Sequence, residues 1–254
     1  AQAGVDAHFV GVVGDDAFGH AEVDRLRRQG VTPHVRIDQD ASTGVIVVLV
    51  GPDGDRTMLP DRGANGLLRA ADVPAGLLYA ADVLHVSGYT FLDAASRPAA
   101  RHALDAATVR GVPVSVDPSS WRPLADAGAD AFLAWTAGSW LCLPNAEEAR
   151  VLTGRSEPDA AARRLGATYG ETVVTLGSGG ALWSDGDAVV RAPAPAASSP
   201  LDTTGAGDAL AAGFLAARLA GRQPEDALHA ALALAAVAVR GRGARPQQGG
   251  HPYA

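Results

Sequence analysis

Lysine is missing from this chain: all 21 basic residues among its 254 positions are arginine. That excludes a Walker A phosphate loop, whose G-K-[ST] end requires a lysine. Cysteine occurs once, as Cys142 in the apolar run WLCLPN. One cysteine excludes a disulfide framework or a cysteine metal cluster, and in this setting it reads as a small buried side chain. A basic excess is lacking as well. The net charge is −7, the wrong sign for a phosphate-backbone binder, so no nucleic-acid partner is expected. No apolar run reaches the roughly 18 residues that span a membrane, and no membrane partner is expected. The opening AQAGVDAHFV lacks the charged start and long apolar stretch of a signal peptide, which makes the cytoplasm the expected location.

What is present is an ordinary globular composition, with 47% hydrophobic and 19% charged residues. A chain of this length can bury roughly 70–75% of its unfolded surface. Short β-rich runs alternate with Ala-rich helical segments. HFVGVVG, DVLHVSG, VPVSVDP and SWLCLPN read as strands, and DAFGHAEVDRLRRQG, AEEARVLTG and DAAARRLGATYG as helices. ETVVTLGSGGALWSDG reads as a strand, a Gly-rich turn and a second strand. This alternation predicts a mostly parallel sheet with helices on both faces, and ligands at the carboxyl ends of its strands. The hairpin over residues 43–60 breaks the pattern, as an edge hairpin or as a small lid over a site. RAPAPAASSP reads as a loop.

The stretch LDTTGAGDALAAGFLAARLAG carries the sharpest signal. It reads as a helix from Ala206 to Ala220, yet Gly205 and Gly207 stand at its mouth. Glycine in a helix costs about 1 kcal/mol against alanine, but it lets backbone approach a ligand. Free N–H groups at a helix N-terminus attract anions. The N–H groups of Gly205, Ala206 and Gly207 therefore suit a phosphoryl group. Beside them, Asp208 suits the base that takes a proton from an attacking hydroxyl; as an acid in a first turn it also suits the helix dipole alone. A dinucleotide-binding reading of Gly205-Ala-Gly207 is weak, because no clear strand precedes it.

LPNAEEA sets Asn145 and Glu148 at a strand-to-helix junction as N-x-x-E. The pair could hold Mg²⁺ beside phosphates, or could be a capping box with Asn145 at the cap. VTLGSGGAL is a strand ending in bare backbone, which suits either a nucleotide or a hairpin turn.

DTTGAGDAL at 202–210 resembles the D-T-x-G-A-G-D signature of the ribokinase-like, or PfkB, carbohydrate kinases. VGDDAFG (13–19), LPNAEEA, TLGSGGA (175–181) and AVRGRGARP (238–246) follow that family's order along essentially the whole chain. The resemblance implies an α/β fold of the ribokinase-like three-layer α/β/α type, with a mostly parallel central sheet and a small β-strand lid, as a single domain over 1–254. It implies ATP and Mg²⁺ as cofactors and a small-molecule sugar as acceptor. By the same resemblance Asp208 is the catalytic base and Gly205, Ala206 and Gly207 form the anion hole. Asn145 and Glu148 then organise Mg²⁺ and the ATP phosphates, while Thr175, Gly177, Ser178 and Gly180 line the nucleotide. Many relatives also bind a monovalent cation. That points, for K⁺, to the Asp202 carboxylate, the Thr204 carbonyl and carbonyls near Ala238, Gly241 and Gly243. A homodimer through the lid is a further expectation.

The chain departs from the family pattern on the acceptor side. It shows neither a first strand with a sugar-binding aspartate nor a G-G-x-x-x-N segment, so the acceptor half is expected to be less complete than the nucleotide half. Ribokinases carry a glutamate after the strand that here reads LHVSGYTF, where this chain has Gly88 and Tyr89. VDPSSWRPL matches a D-x-N-x-R segment of some relatives only in Asp117, with Arg122 one place late. Ribose is thus not favoured over fructose, a keto-deoxy sugar acid or a nucleoside. A nucleoside kinase and an inactive nucleotide-binding relative are the alternatives. Arg62, in DRGAN, could meet a substrate anion or simply face solvent.

Overall fold

A computed structural model of the chain describes residues 1–50, 56–195, 202–241 and 243. The chain falls into two compact units: Ala1–Ala81 with Thr90–Arg110, and Asp82–Tyr89 with Gly111–Ala254.

In the first unit, β1 (Ala7–Gly14) pairs in parallel with β2 (Val31–Asp38), the two being linked by α1 (Ala17–Arg28). β2 was not expected from the sequence. Its polar His34 and Arg36 and its Pro33 hide it, and an edge strand tolerates a proline that a central one does not. β3 (Val45–Val50) and β4 (Arg56–Asp61) form the expected antiparallel hairpin; its PDGD turn lies outside the described residues. Two 3-10 turns and the short α2 (Ala75–Ala80) follow.

The VGDDAFG stretch anchors this unit. Asp16 caps α1 by accepting the Gly19 N–H at 2.8 Å, and it also accepts the N–H and the hydroxyl of Thr43, each at 2.7 Å. Thr43 Oγ1 in turn accepts the Gly14 N–H at 3.0 Å. One carboxylate thus ties the end of β1, the start of α1 and the approach to the hairpin. These donors, led by the Thr43 N–H, hold its pKa down at about 2. Arg62 donates to Asp93 at 2.9 Å, so the expected solvent-facing arginine is ion-paired.

The second unit is the layered one. β5 (Leu84–Ser87), α3 (Gly88–Leu92), α4 (Arg97–Val109), β6 (Val114–Asp117), α5 (Trp121–Ala127), α6 (Ala129–Trp135), β7 (Leu141–Cys142), α7 (Ala146–Thr153), α8 (Pro158–Tyr169) and β8 (Glu171–Thr175) follow in chain order, with α4 and the last three residues of α3 belonging to the first unit. β9 (Ala181–Ser184), β10 (Val189–Ala192), α9 (Ala206–Leu219) and α10 (Pro224–Ala238) complete the chain. The sheet order is β10-β9-β8-β7-β6-β5. β5 to β8 run parallel, β9 pairs antiparallel with β8, and β10 pairs antiparallel with β9 and so regains the direction of β8. β10 takes Arg191 and Ala192 out of the stretch read as loop, and β7 pairs over only two of the residues in SWLCLPN.

Alternation along the strands sorts side chains between two helical layers. Val173, Trp183 and Leu141 pack with Leu210, Phe214 and Leu228 of α9 and α10. Leu182 and Val174, on the opposite face, are fully buried, as are Ala162 and Leu165 of α8. Phe214 is wholly enclosed, and burying a side chain of that kind contributes about 1.5–3 kcal/mol. The parallel strands therefore present their carboxyl ends together, at Ser87, Asp117, the Asn145 junction and Thr175.

Candidate active site

Asn145 forms an isolated parallel bridge with Thr175, and the Thr175 N–H donates to Pro144 O at 3.0 Å. This sets the N-x-x-E stretch against the T-x-G-S stretch. Asn145 caps α7 by accepting the Glu148 N–H at 2.9 Å, and Glu148 returns the bond to the Asn145 N–H at 2.9 Å. The capping-box geometry is therefore realised. Glu148 is nonetheless an unusual cap, 3% exposed. Burial, opposed by its bond to Asn145 and aided by the charge of Asp117, lifts its carboxyl to about 7. A buried carboxyl of that kind is relieved by a cation, which fits a divalent ion at this place. Among the described residues no group of three acids, histidines or cysteines forms a self-sufficient metal cage. An ion held here would lean on phosphate oxygens and water, the usual habit of Mg²⁺.

The Gly-rich stretch after Thr175 is a tight hairpin loop. Leu176 N–H donates to Gly180 O at 2.8 Å, and a 3-10 turn spans Gly177–Gly179. Gly177 and Ser178 are exposed there. Gly180 is buried at φ 92°, and a Cβ added to it would lie 2.1 Å from Ala192 O. Its lack of a side chain is thus already required by packing on β10.

Gly205 stands at the N-cap of α9 with φ 82° and ψ 0°, a left-handed conformation in which glycine carries no Cβ penalty. Ala206 N–H donates to Thr203 O at 3.2 Å. Of the expected trio, Gly205 and Gly207 are the two whose N–H groups meet no protein acceptor among the described residues. A Cβ on Gly207 would meet nothing within 4 Å, so space lies open there. Asp208 follows in the first turn. Its side chain is open to solvent on one side, and protein on the others raises its pKa by desolvation.

Asp202 orders the approach to this helix. Its Oδ1 accepts the Thr204 N–H at 3.0 Å and the Thr204 hydroxyl at 2.7 Å, and its Oδ2 accepts the Gly243 N–H at 2.9 Å. Asp202 N–H reaches Val239 O at 3.4 Å, and Gly241 N–H reaches Ala238 O at 3.3 Å. The two segments expected to hold a monovalent cation are thus brought together around one carboxylate. That carboxylate is also fully engaged as a turn former.

The sequence singled out Asp117 only as a remnant of a motif. In the structure it ends β6, and burial lifts its carboxyl to about 6 against the bond from Ser119 N–H, with the charge of Asp208 adding to the rise. Its Oδ1 accepts the Ser119 N–H at 2.6 Å. Ser119 has φ 72°, a conformation rare outside glycine and asparagine. Its hydroxyl meets that of Ser87, from the end of β5, at 3.1 Å. The one signal available in the sequence was an Asp-Pro at a strand end.

A family model described as pfkB family carbohydrate kinase matches residues 1–248. A 2-dehydro-3-deoxygluconokinase of Thermoproteus tenax is 32% identical over 251 residues, covering 95% of this chain and 76% of the relative. The solved adenosine kinase of Sinorhizobium meliloti superposes with a TM-score of 0.91 at 27% identity, covering 96% of this chain and 76% of that one. A structure from E. coli in complex with ATP and Mg²⁺ matches with a TM-score of 0.86 at 25% identity, covering 96% of this chain and 80% of that one.

Proposed function

The chain belongs to the pfkB family of carbohydrate kinases, ATP-dependent phosphotransferases of sugar hydroxyls, and on that premise we propose that Asp208 is the base of the transfer and the mouth of α9 its anion hole. The observation that carries this is the pairing of two acceptor-free N–H groups, Gly205 and Gly207, with a carboxylate in the same first turn. A carboxylate beside an anion site would otherwise repel phosphate. Here it takes the proton of the attacking hydroxyl as that oxygen approaches phosphorus. Its raised pKa makes it a stronger base than a solvated aspartate. Gly205 and Gly207, fixed before the reaction begins, stabilise charge as it develops on the transferring group.

Glu148 and Asn145 would hold Mg²⁺, directly or through water, and bound Mg²⁺ neutralises phosphate charge. On the neighbouring strand end, Gly177 and Ser178 offer exposed backbone and a hydroxyl beside the half-buried Thr175 as a bed for the nucleotide. Asp202, Thr204 and the carbonyls of Ala238, Gly241 and Gly243 would hold K⁺, which would stiffen the loop into Gly205. The acceptor is a sugar or sugar acid. The steps assigned to Asp208 are tested by the steady-state kinetics of its asparagine variant, which should lose at least about 100-fold in kcat.

A homodimer through the hairpin is part of the same proposal. Ile46, Val47 and Leu49 are 58%, 53% and 54% exposed, on both faces of a two-stranded ribbon. Such a ribbon is marginal alone, and a second copy would cover it. Sedimentation of the Ile46→Asp variant as a monomer, against a wild-type dimer, is the expected result.

A further inference from the structure

A cavity of about 340 Å³ opens at the amino ends of β5, β6 and β7, the end of the sheet opposite Asp117, Asn145 and Thr175. Its volume lies within the range of about 300–1,000 Å³ that small-molecule sites occupy. The walls are Val83, Trp140, Leu215 and Leu219, with Asp82 and Arg218 as the two charged members.

These two charges are not equivalent. Arg218 Nη2 donates to Glu171 Oε1 at 2.7 Å and Nη1 donates to Arg222 O at 3.0 Å. Glu171 thus offsets the guanidinium charge. The same carboxylate accepts the indole N–H groups of Trp140, at 3.2 Å, and of Trp183, at 2.7 Å, and so fixes Trp140 as a wall. Arg218 Nε is buried without an acceptor, and a ligand cannot reach it without displacing the side chain. Asp82, by contrast, is exposed and has no hydrogen bond or ion pair among the described residues. The last turn of α9 lines the cavity as well, and the C-terminal end of a helix carries partial negative charge. The uncompensated charge at the cavity is therefore negative, beside an indole and aliphatic walls.

We propose that this cavity binds a small organic monocation, an amine with an apolar or aromatic body, its ammonium at Asp82 and its body against Trp140 and Leu219. An indole favours a cation over its face, and the exposed carboxylate adds a modest ionic contribution. The site is distinct from the mouth of α9 and does not depend on the roles assigned there.

The test is calorimetric titration of the intact protein with 2-phenylethylamine, 2-phenylethanol and 3-phenylpropionate. Saturable one-to-one binding of the amine is expected, tighter than that of the alcohol and the acid. Asp82→Asn should weaken it about two- to fivefold, as loss of one exposed ionic partner does. Leu219→Trp fills the cavity from an exposed position and should abolish binding while leaving the kinase rate unchanged. Asp208→Asn should leave amine binding unaltered, which separates the cavity from the acidic active site. Absence of saturable amine binding, equal binding of the alcohol or acid, or amine binding that persists in Leu219→Trp would each overturn the proposal.

Discussion

Asp202 Oδ2 accepts the backbone N–H of Gly243 at 2.9 Å, across 41 residues of sequence. This bond joins the entry to α9 with the segment after α10. If a monovalent cation shares that carboxylate, it tightens the loop that presents Gly205 and Gly207. K⁺ should then raise kcat more than it changes KM for ATP, because the gain is realised as charge develops. Asp202→Asn should remove the response. Equal rates in K⁺ and in a large organic cation at matched ionic strength would leave Asp202 a turn former only.

Glu148→Gln separates a cap from a metal site. Glutamine can still accept the Asn145 N–H, so the melting temperature should change by only a few degrees, corresponding to about 1 kcal/mol or less. The Mg²⁺ concentration for half-maximal rate should rise several-fold. A large fall in melting temperature with an unchanged Mg²⁺ requirement would assign Glu148 to the cap alone.

Asp117 makes a pH prediction for stability. Burial, with the charge of Asp208 adding, lifts its folded-state pKa to about 6, above the ordinary value of about 3.9. Between these values the folded protein holds a proton that the unfolded chain has released, so this group's contribution to stability falls as pH rises from about 4 to 6. Asp117→Asn should be stabilised relative to wild type by roughly 2 kcal/mol more at pH 7.5 than at pH 4. Parallel pH profiles in denaturant unfolding would show that Asp117 is not perturbed.

Ser119, at φ 72°, should tolerate glycine within about 0.5 kcal/mol and lose about 1–2 kcal/mol to valine, whose branched side chain opposes that conformation. Chemical denaturation of the two variants measures the contrast. Equal stability would mean that the turn relaxes.

The parts of this molecule visible in the sequence were those written in residue types with few alternatives. Gly205 and Gly207 at a helix mouth, Asn145 and Glu148 at one-turn spacing, and the apolar run Val45–Leu49 each declared a local geometry. β2 stayed hidden because His34, Arg36 and Pro33 dilute its apolar pattern, and β10 because prolines follow Ala192 at once. The turn at Ser119 was hidden for a different reason. Its positive φ is enforced by the bond from its own N–H to Asp117 and by the hydroxyl of Ser87 on the next strand, not by a glycine or asparagine in place. Tertiary contacts fixed what local sequence did not announce. They also give Gly180 a packing reason of its own, since a Cβ there would lie 2.1 Å from Ala192 O.

The most direct measurement is the steady-state kinetics of Asp208→Asn against wild type, with ATP and a panel of sugars and sugar acids. Asparagine keeps the size and hydrogen bonding of Asp208 and removes the base. With Asp208 as the base, kcat should fall at least about 100-fold, the scale of general-base catalysis, while KM for ATP and the melting temperature stay close to wild type. Near-normal turnover by the variant would contradict it, and would leave Asp208 as no more than a complement to the dipole of α9.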